Sequence, residues 1–210
     1  IFDPKMPFRE HLPSKQEIDF EKNVCEDTKL MEKTTMVEDA ERIEDVMMYD
    51  GFEVQNIIYD IIVENDSDPN NLHIVFTNKL TCTYDTADNR YHGRAVICSN
   101  PAIISTTGMI EAPARPREYY FEAMKCKMQG SGIEDVKKKY GGKFLDYHDN
   151  RLSKIAEGYL LQAIFYYITG DVFCDSLDCR LNNAHWQKDL LYSQLEIGKL
   201  CNKHQALLDN

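Results

Sequence analysis

The sequence predicts an α+β protein in which a mixed β-sheet packs on one central buried helix. Two observations carry that reading. Residues 152–169 are apolar around nearly the whole helical circumference, and short runs rich in β-branched residues precede them in the chain.

The central helix is the clearest element. Leu152, Ile155, Ala156, Tyr159, Leu160, Ala163 and Tyr167 recur at i, i+3, i+4 spacing, while Leu161, Ile164, Phe165 and Ile168 make the other side apolar as well. A helix with no face suited to water belongs inside the protein. Gly170 follows it, where a helix end favours a left-handed residue. Strands are expected at roughly 57–63, 72–84, 94–98 and 103–111. Ile57 to Val63 fits helix or strand by periodicity and is placed in the sheet; His73 to Tyr84 and Arg94 to Cys98 read as strands by composition. Asp50-Gly51 reads as a turn, and Asn100-Pro101 breaks the chain. Ser105-Thr106-Thr107-Gly108 reads as a turn between strands, with an anion-binding loop as the alternative. Pro113 and Pro116 end strand-like structure, and Lys137 to Lys139 before Gly141-Gly142 mark a solvated helix end.

Residues 1–35 are polar and carry Pro4, Pro7 and Pro13, which predicts an extended arm followed by a short helix. Val37, Ala40, Ile43, Val46 and Met47 recur at helical spacing among acids, which predicts an exposed amphipathic helix over 36–48. The organisation is thus an arm over 1–35, a sheet region over 36–150, and the central helix with a C-terminal lobe over 151–210, in one compact domain.

The formal net charge of -11 sets a strongly acidic surface. Such a surface repels phosphate backbones, which argues against a nucleic-acid partner. No apolar run approaches the roughly 18 residues of a membrane span, and no signal peptide is visible, although the chain opens at Ile1. Of seven cysteines, Cys25, Cys82, Cys98 and Cys126 lie far apart, whereas Cys174, Cys179 and Cys201 crowd into the last 40 residues beside His204. That distribution points to reduced thiols and a metal, and hence to a cytoplasmic protein.

The C-terminal residues have ligand spacing. Cys174-Asp-Ser-Leu-Asp-Cys179 is one pair, and Cys201-Asn-Lys-His204 is the other. Zinc takes four soft ligands in a tetrahedron, and each close pair supplies one edge. The 21 intervening residues, with a helix expected from Trp186 to Leu195, return the chain to the first pair. Four protein ligands leave no open position, so the expected metal is one structural zinc per chain.

These residues give the tail its likeness. It resembles the archaemetzincins, zinc peptidases with the motif His-Glu-x-x-His-x-x-Gly-x-x-His-Cys-x4-Cys-x-Met and a later Cys-x-x-Cys. Gly170, Cys174 and Cys179 match without a gap, and His204 stands where that family has its last Cys. The resemblance implies a metzincin-like scaffold and the structural zinc. It also places the three catalytic ligands on Ala163, Tyr167 and Phe173, the general base on Ile164 and the Met on Leu181. Ala and Phe cannot bind zinc, and Ile cannot take a proton from water, so the resemblance denies the peptidase site. Asn71-Leu-His-Ile-Val-Phe is similar to the family's strand before its sheet edge. The whole chain also looks like an uncharacterised archaeal family catalogued as metallopeptidases.

Other residues invite weaker readings. His185 and Asp189 are four apart and would share a helix face, as a second metal pair or as support for the zinc. His92, His148 and Glu111, with His185, are the candidates for a relocated metal site. Trp186 is expected as a core anchor, and Arg115 and Arg117 as a partner contact or a local salt bridge. The functional expectation is a catalytically degenerate relative of a zinc peptidase that binds a protein or peptide; the alternatives are a hydrolase with a relocated metal, or a structural subunit. With its ligands gone, the old cleft is expected to be filled by Tyr167 and Phe173 turning inward.

Overall fold

The computed structural model describes residues 47–62, 66, 68 and 70–209; the expected arm, and all but the end of the expected helix over 36–48, lie outside them. Strand β1 (Met48–Asp50) leads into helix α1 (Gly51–Ile61), then β2 (Ile74–Thr77), β3 (Leu80–Asp85), β4 (Arg90–Arg94), β5 (Val96–Ile97) and β6 (Ala102–Ser105). Helices α2 (Thr106–Glu111), α3 (Arg117–Met128), α4 (Glu134–Lys139), α5 (Leu152–Thr169) and α6 (Gln187–Leu191) come next, then a π-helical turn (Tyr192–Ile197) and α7 (Asn202–Leu208). The class is α+β, as expected.

The strands form two three-stranded sheets rather than one. In the first, β3 pairs parallel with β1 and antiparallel with β4; in the second, β6 pairs parallel with β2 and antiparallel with β5. The expected strand over 72–84 is therefore two strands in different sheets, separated at Asn78-Lys79, and 94–98 divides between β4 and β5. Each sheet is mixed.

Two expected turns are helix starts. The Asp50 carboxylate accepts from the N–H groups of Phe52 and Glu53 at 3.0 and 3.1 Å, so Asp50-Gly51 caps α1, and 57–61 is helix, not strand. The Ser105 hydroxyl accepts from Gly108 N–H at 2.8 Å and donates to Lys79 O at 2.6 Å. Thr106 and Thr107 likewise donate to the carbonyls of Thr77 and Asn78. The segment is thus the N-cap of α2, its hydroxyls are spent on backbone, and the strand expected over 103–111 ends at Ser105. Pro113 and Pro116 accordingly separate two helices, α2 and α3.

The main core gathers Ala95, Val96, Ile104, Met109, Ile110, Leu145, Ile155, Tyr159 and Leu190 between the second sheet, α2 and α5. Helix α5 spans the expected residues, with Ile155, Tyr159, Ala163 and Phe165 buried. Its burial is not complete, because Ile168 is exposed at the C-terminal end. At the centre of this packing Gly108 lies against the β4–β5 junction. A Cβ there would run into the Arg94 carbonyl and sit 2.8 Å from Ala95 Cα, both backbone and unable to yield. Gly108→Ala is expected to cost about 3 kcal/mol, at the upper end of overpacking, read as a shift in the denaturant midpoint at constant slope.

Candidate metal centre

The end of α5 is set by Gly170, whose φ of 78° is left-handed and whose N–H closes on Tyr166 O at 2.8 Å. The chain then reverses. Cys174 N–H donates to Leu181 O at 2.8 Å, and the Asn182 side chain donates to Cys174 O at 3.1 Å. These bonds close a loop that carries Cys174 and Cys179 on one side. Arg180 fastens it to α5 through Lys154 O at 2.7 Å and Glu157. Cys201 caps α7, and its carbonyl accepts from His204 N–H at 3.0 Å, so the two residues share one helical turn.

The four side chains converge. Cys179 Sγ is 3.5 Å and Cys201 Sγ 3.1 Å from His204 Nδ1, and all four ligand atoms lie within 4.8 Å of one another. Zinc–sulfur bonds of about 2.3 Å in a tetrahedron place sulfurs about 3.8 Å apart, so the residues fit the ion in both chemistry and spacing. Cys201 N–H points at Cys179 Sγ at 3.4 Å. The surroundings are dry: Phe165, Cys179 and Leu181 are buried, with Leu161 and Leu200 packed on them, and the Phe165 ring meets the His204 ring edge-on at 5.7 Å. Burial, helped by Lys203, holds the His204 pKa below its usual value, which keeps the ring neutral and able to offer a lone pair. Burial pushes the Cys179 thiol up to about 11. At Cys201 burial also acts upward, but the backbone N–H groups of His204 and Lys203 and the neighbouring sulfurs outweigh it and bring the thiol down. The other cysteines of known environment, Cys82, Cys98 and Cys126, are free thiols.

The α5 face that the resemblance marks as a ligand face departs from the filled-cleft expectation at Phe173. Ala163 is 1% exposed, so the helix is sealed at that point. Phe173, however, is 42% exposed and lines a cavity of about 70 Å³ instead of filling it. Gly93 to Val96, Ala112, Pro113 and Asn182 to His185 make the other walls, and Tyr159 and Gln162 of α5 close the base. Sequence reasoning passed over Gln162; an amide in an otherwise apolar buried helix was the available signal.

The remaining candidates are dispersed. His92 Nε2 meets Asp88 at 2.9 Å, and with Asp85 these form the other group of metal-capable side chains among the described residues. Glu111 is paired instead with Arg115 at 3.1 Å, and Arg115 lies over the Tyr119 and Phe144 rings. His148 sits in a left-handed turn with φ of 64°. His185 precedes α6 and so does not share a helix face with Asp189, while Trp186 is the N-cap residue of that helix and carries the Arg117 guanidinium 5.6 Å from its ring.

The α+β fold thus brings together a Cys3His set that could hold a metal ion. The whole chain, residues 1–210, matches the model of the family described as "Probable metallopeptidase family (DUF6775)", and the chain belongs to that family. No curated protein and no solved structure matches it. No helix among the described residues is long and apolar enough to cross a membrane.

Proposed function

We propose that this chain is a non-catalytic, peptide-binding member of its metallopeptidase family, built on a metzincin-like scaffold with one structural zinc on Cys174, Cys179, Cys201 and His204. The observation that carries this reading is the identity of the helix face at the motif position. Ala163, Ile164 and Tyr167 stand on α5 where a peptidase of the archaemetzincin kind has two zinc ligands and a general base, and Phe173 takes the place of the third ligand. A catalytic zinc needs three protein ligands and an open position, and Ala, Ile and Phe supply none. The Cys3His set offers four ligands and no open position, which suits a structural ion. Its reduced thiols suit the cytoplasm.

The cavity at Gln162 and Phe173 supports binding. It is bordered by β4, the end strand of the first sheet, whose outer side has no strand partner among the described residues. An extended peptide can add to such an edge by main-chain hydrogen bonds. Metal analysis and a cleavage assay test the reading together. The expected result is one zinc per chain, unchanged in His92→Ala and His148→Ala, and no metal-dependent cleavage of a mixed peptide pool. A second metal lost in His92→Ala, accompanied by cleavage, would replace this reading with a relocated hydrolase site that uses Asp85, Asp88 and His92.

A further inference from the structure

We infer that the cavity at Gln162 is a side-chain pocket selective for a short, neutral residue carrying a hydrogen-bond donor, an amide or a hydroxyl; this rests on the peptide-binding reading above. Gln162 is 1% exposed, on the cavity-facing side of α5. Its Nε2 is committed, donating to Asn182 O at 3.3 Å. That bond fixes which end of the amide is oxygen, and the oxygen, Oε1, is buried with no hydrogen-bond partner. A buried acceptor left unpaired is costly, and the group that relieves it must bring an N–H or O–H.

The walls set the other requirements. A cavity of about 70 Å³ exceeds the roughly 10–15 Å³ that one water needs by this measure, and has room for a short side chain. The base carries the Tyr159 phenol beside the Gln162 amide, both residues buried. An ammonium would have to shed its water into this setting with Arg94 as a neighbour and no carboxylate in the lining, which disfavours lysine. The geometry is rigid on the far side, because Ala114 N–H donates to His185 O and Gln187 N–H to Ala114 O, each at 2.8 Å, tying two walls together. On the near side Gly93 and Arg94 of β4 line the cavity, and the peptide main chain runs along that strand's end with one side chain pointing down to Gln162.

Acetylated, amidated pentapeptides Ala-Ala-X-Ala-Ala, with X as Asn, Ser, Leu or Lys, titrated into the full chain and followed by amide NMR shifts, test this. The Asn peptide is expected to bind about tenfold tighter than the Leu peptide, which has nearly the same shape but no donor, with Ser between them and Lys weakest. In Gln162→Met the Asn preference should vanish while the Leu peptide binds at least as well as before. Binding that is indifferent to X overturns the pocket and leaves peptide binding standing. Absence of binding by every peptide at millimolar concentration overturns both. If Gln162→Met fails to fold, the Asn-to-Leu ratio in the unaltered chain decides alone.

Discussion

Replacing Cys179 with serine is expected to lower the melting temperature by more than about 10 °C and to open the segment from Asp171 to Lys199 to proteolysis. Metal-coupled folding of small zinc modules is worth on the order of 10 kcal/mol, part of which is spent ordering the chain. The loop that carries Cys174 and Cys179 has little apolar packing of its own. Its own apolar cluster is Phe165, Cys179 and Leu181 with a few half-buried neighbours, and two of its packing partners, Cys174 and Cys201, are themselves proposed ligands. Serine keeps the volume but is a poor zinc ligand, so the change weakens the proposed site while hardly altering the packing. His204→Ala should act in the same direction and add a void beside Phe165, whose ring it meets at 5.7 Å. Cys126→Ser, at a half-buried free thiol on α3, is the control and should change little. Chelator treatment of the unaltered protein should reproduce the Cys179→Ser result. If chelation leaves melting and tail proteolysis unchanged, the Cys3His set is not a structural metal site.

What the sequence made legible had chemical punctuation at both scales. Helix α5 was readable to its last residue, because its apolar content is continuous and Gly170 supplies the left-handed stop. The four converging side chains were readable because ligand pairs are local in sequence, and a short knuckle needs no knowledge of the rest of the fold. The first half was less legible for a physical reason. Asp50 and Ser105 carry side-chain acceptors that serve a turn and a helix N-cap equally well, and which one forms depends on whether the next residues of the chain find a surface to pack against. For α1 that packing is Val54 and Ile58 against Ile97 and Ile103, contacts some 40 residues away in sequence. The run over 72–84 reads as one strand because both parts are β-formers, whereas Asn78-Lys79 passes the chain between two sheets, a decision made by pairing β2 with β6 and β3 with β1. Gln162 stands out in the sequence only as an amide in an apolar helix, since its place in the pocket depends on a bond it makes to Asn182 and one it lacks.

The second large effect falls on Gln187, a residue that no motif singles out. It is fully buried, and its amide makes three backbone bonds: Nε2 donates to the carbonyls of Met109 and Ile110, each at 2.9 Å, and Oε1 accepts from Leu145 N–H at 3.0 Å. These join the end of α2, the loop before α5 and the start of α6, beside the isolated parallel bridge between Ala114 and Trp186. Met109, Ile110 and Leu145 all belong to the main core, so the amide fixes the frame on which that core is built. Gln187→Ala leaves a buried N–H and two carbonyls without partners and opens a void. At about 1–3 kcal/mol for each unpaired group, partly offset by relaxation, the expected loss is about 4 kcal/mol. In a domain of this size that corresponds to roughly 10 °C in Tm. Gln187→Glu keeps the acceptor for Leu145 but turns a carboxylate toward two carbonyls, so it should be no better than alanine near neutral pH and should recover part of the loss as acid protonates it. Gln205→Ala, on the exposed side of α7, is the matched control and should stay within about 0.5 kcal/mol. Should Gln187→Ala melt with the control, the three bonds contribute nothing net, and the core itself sets the frame.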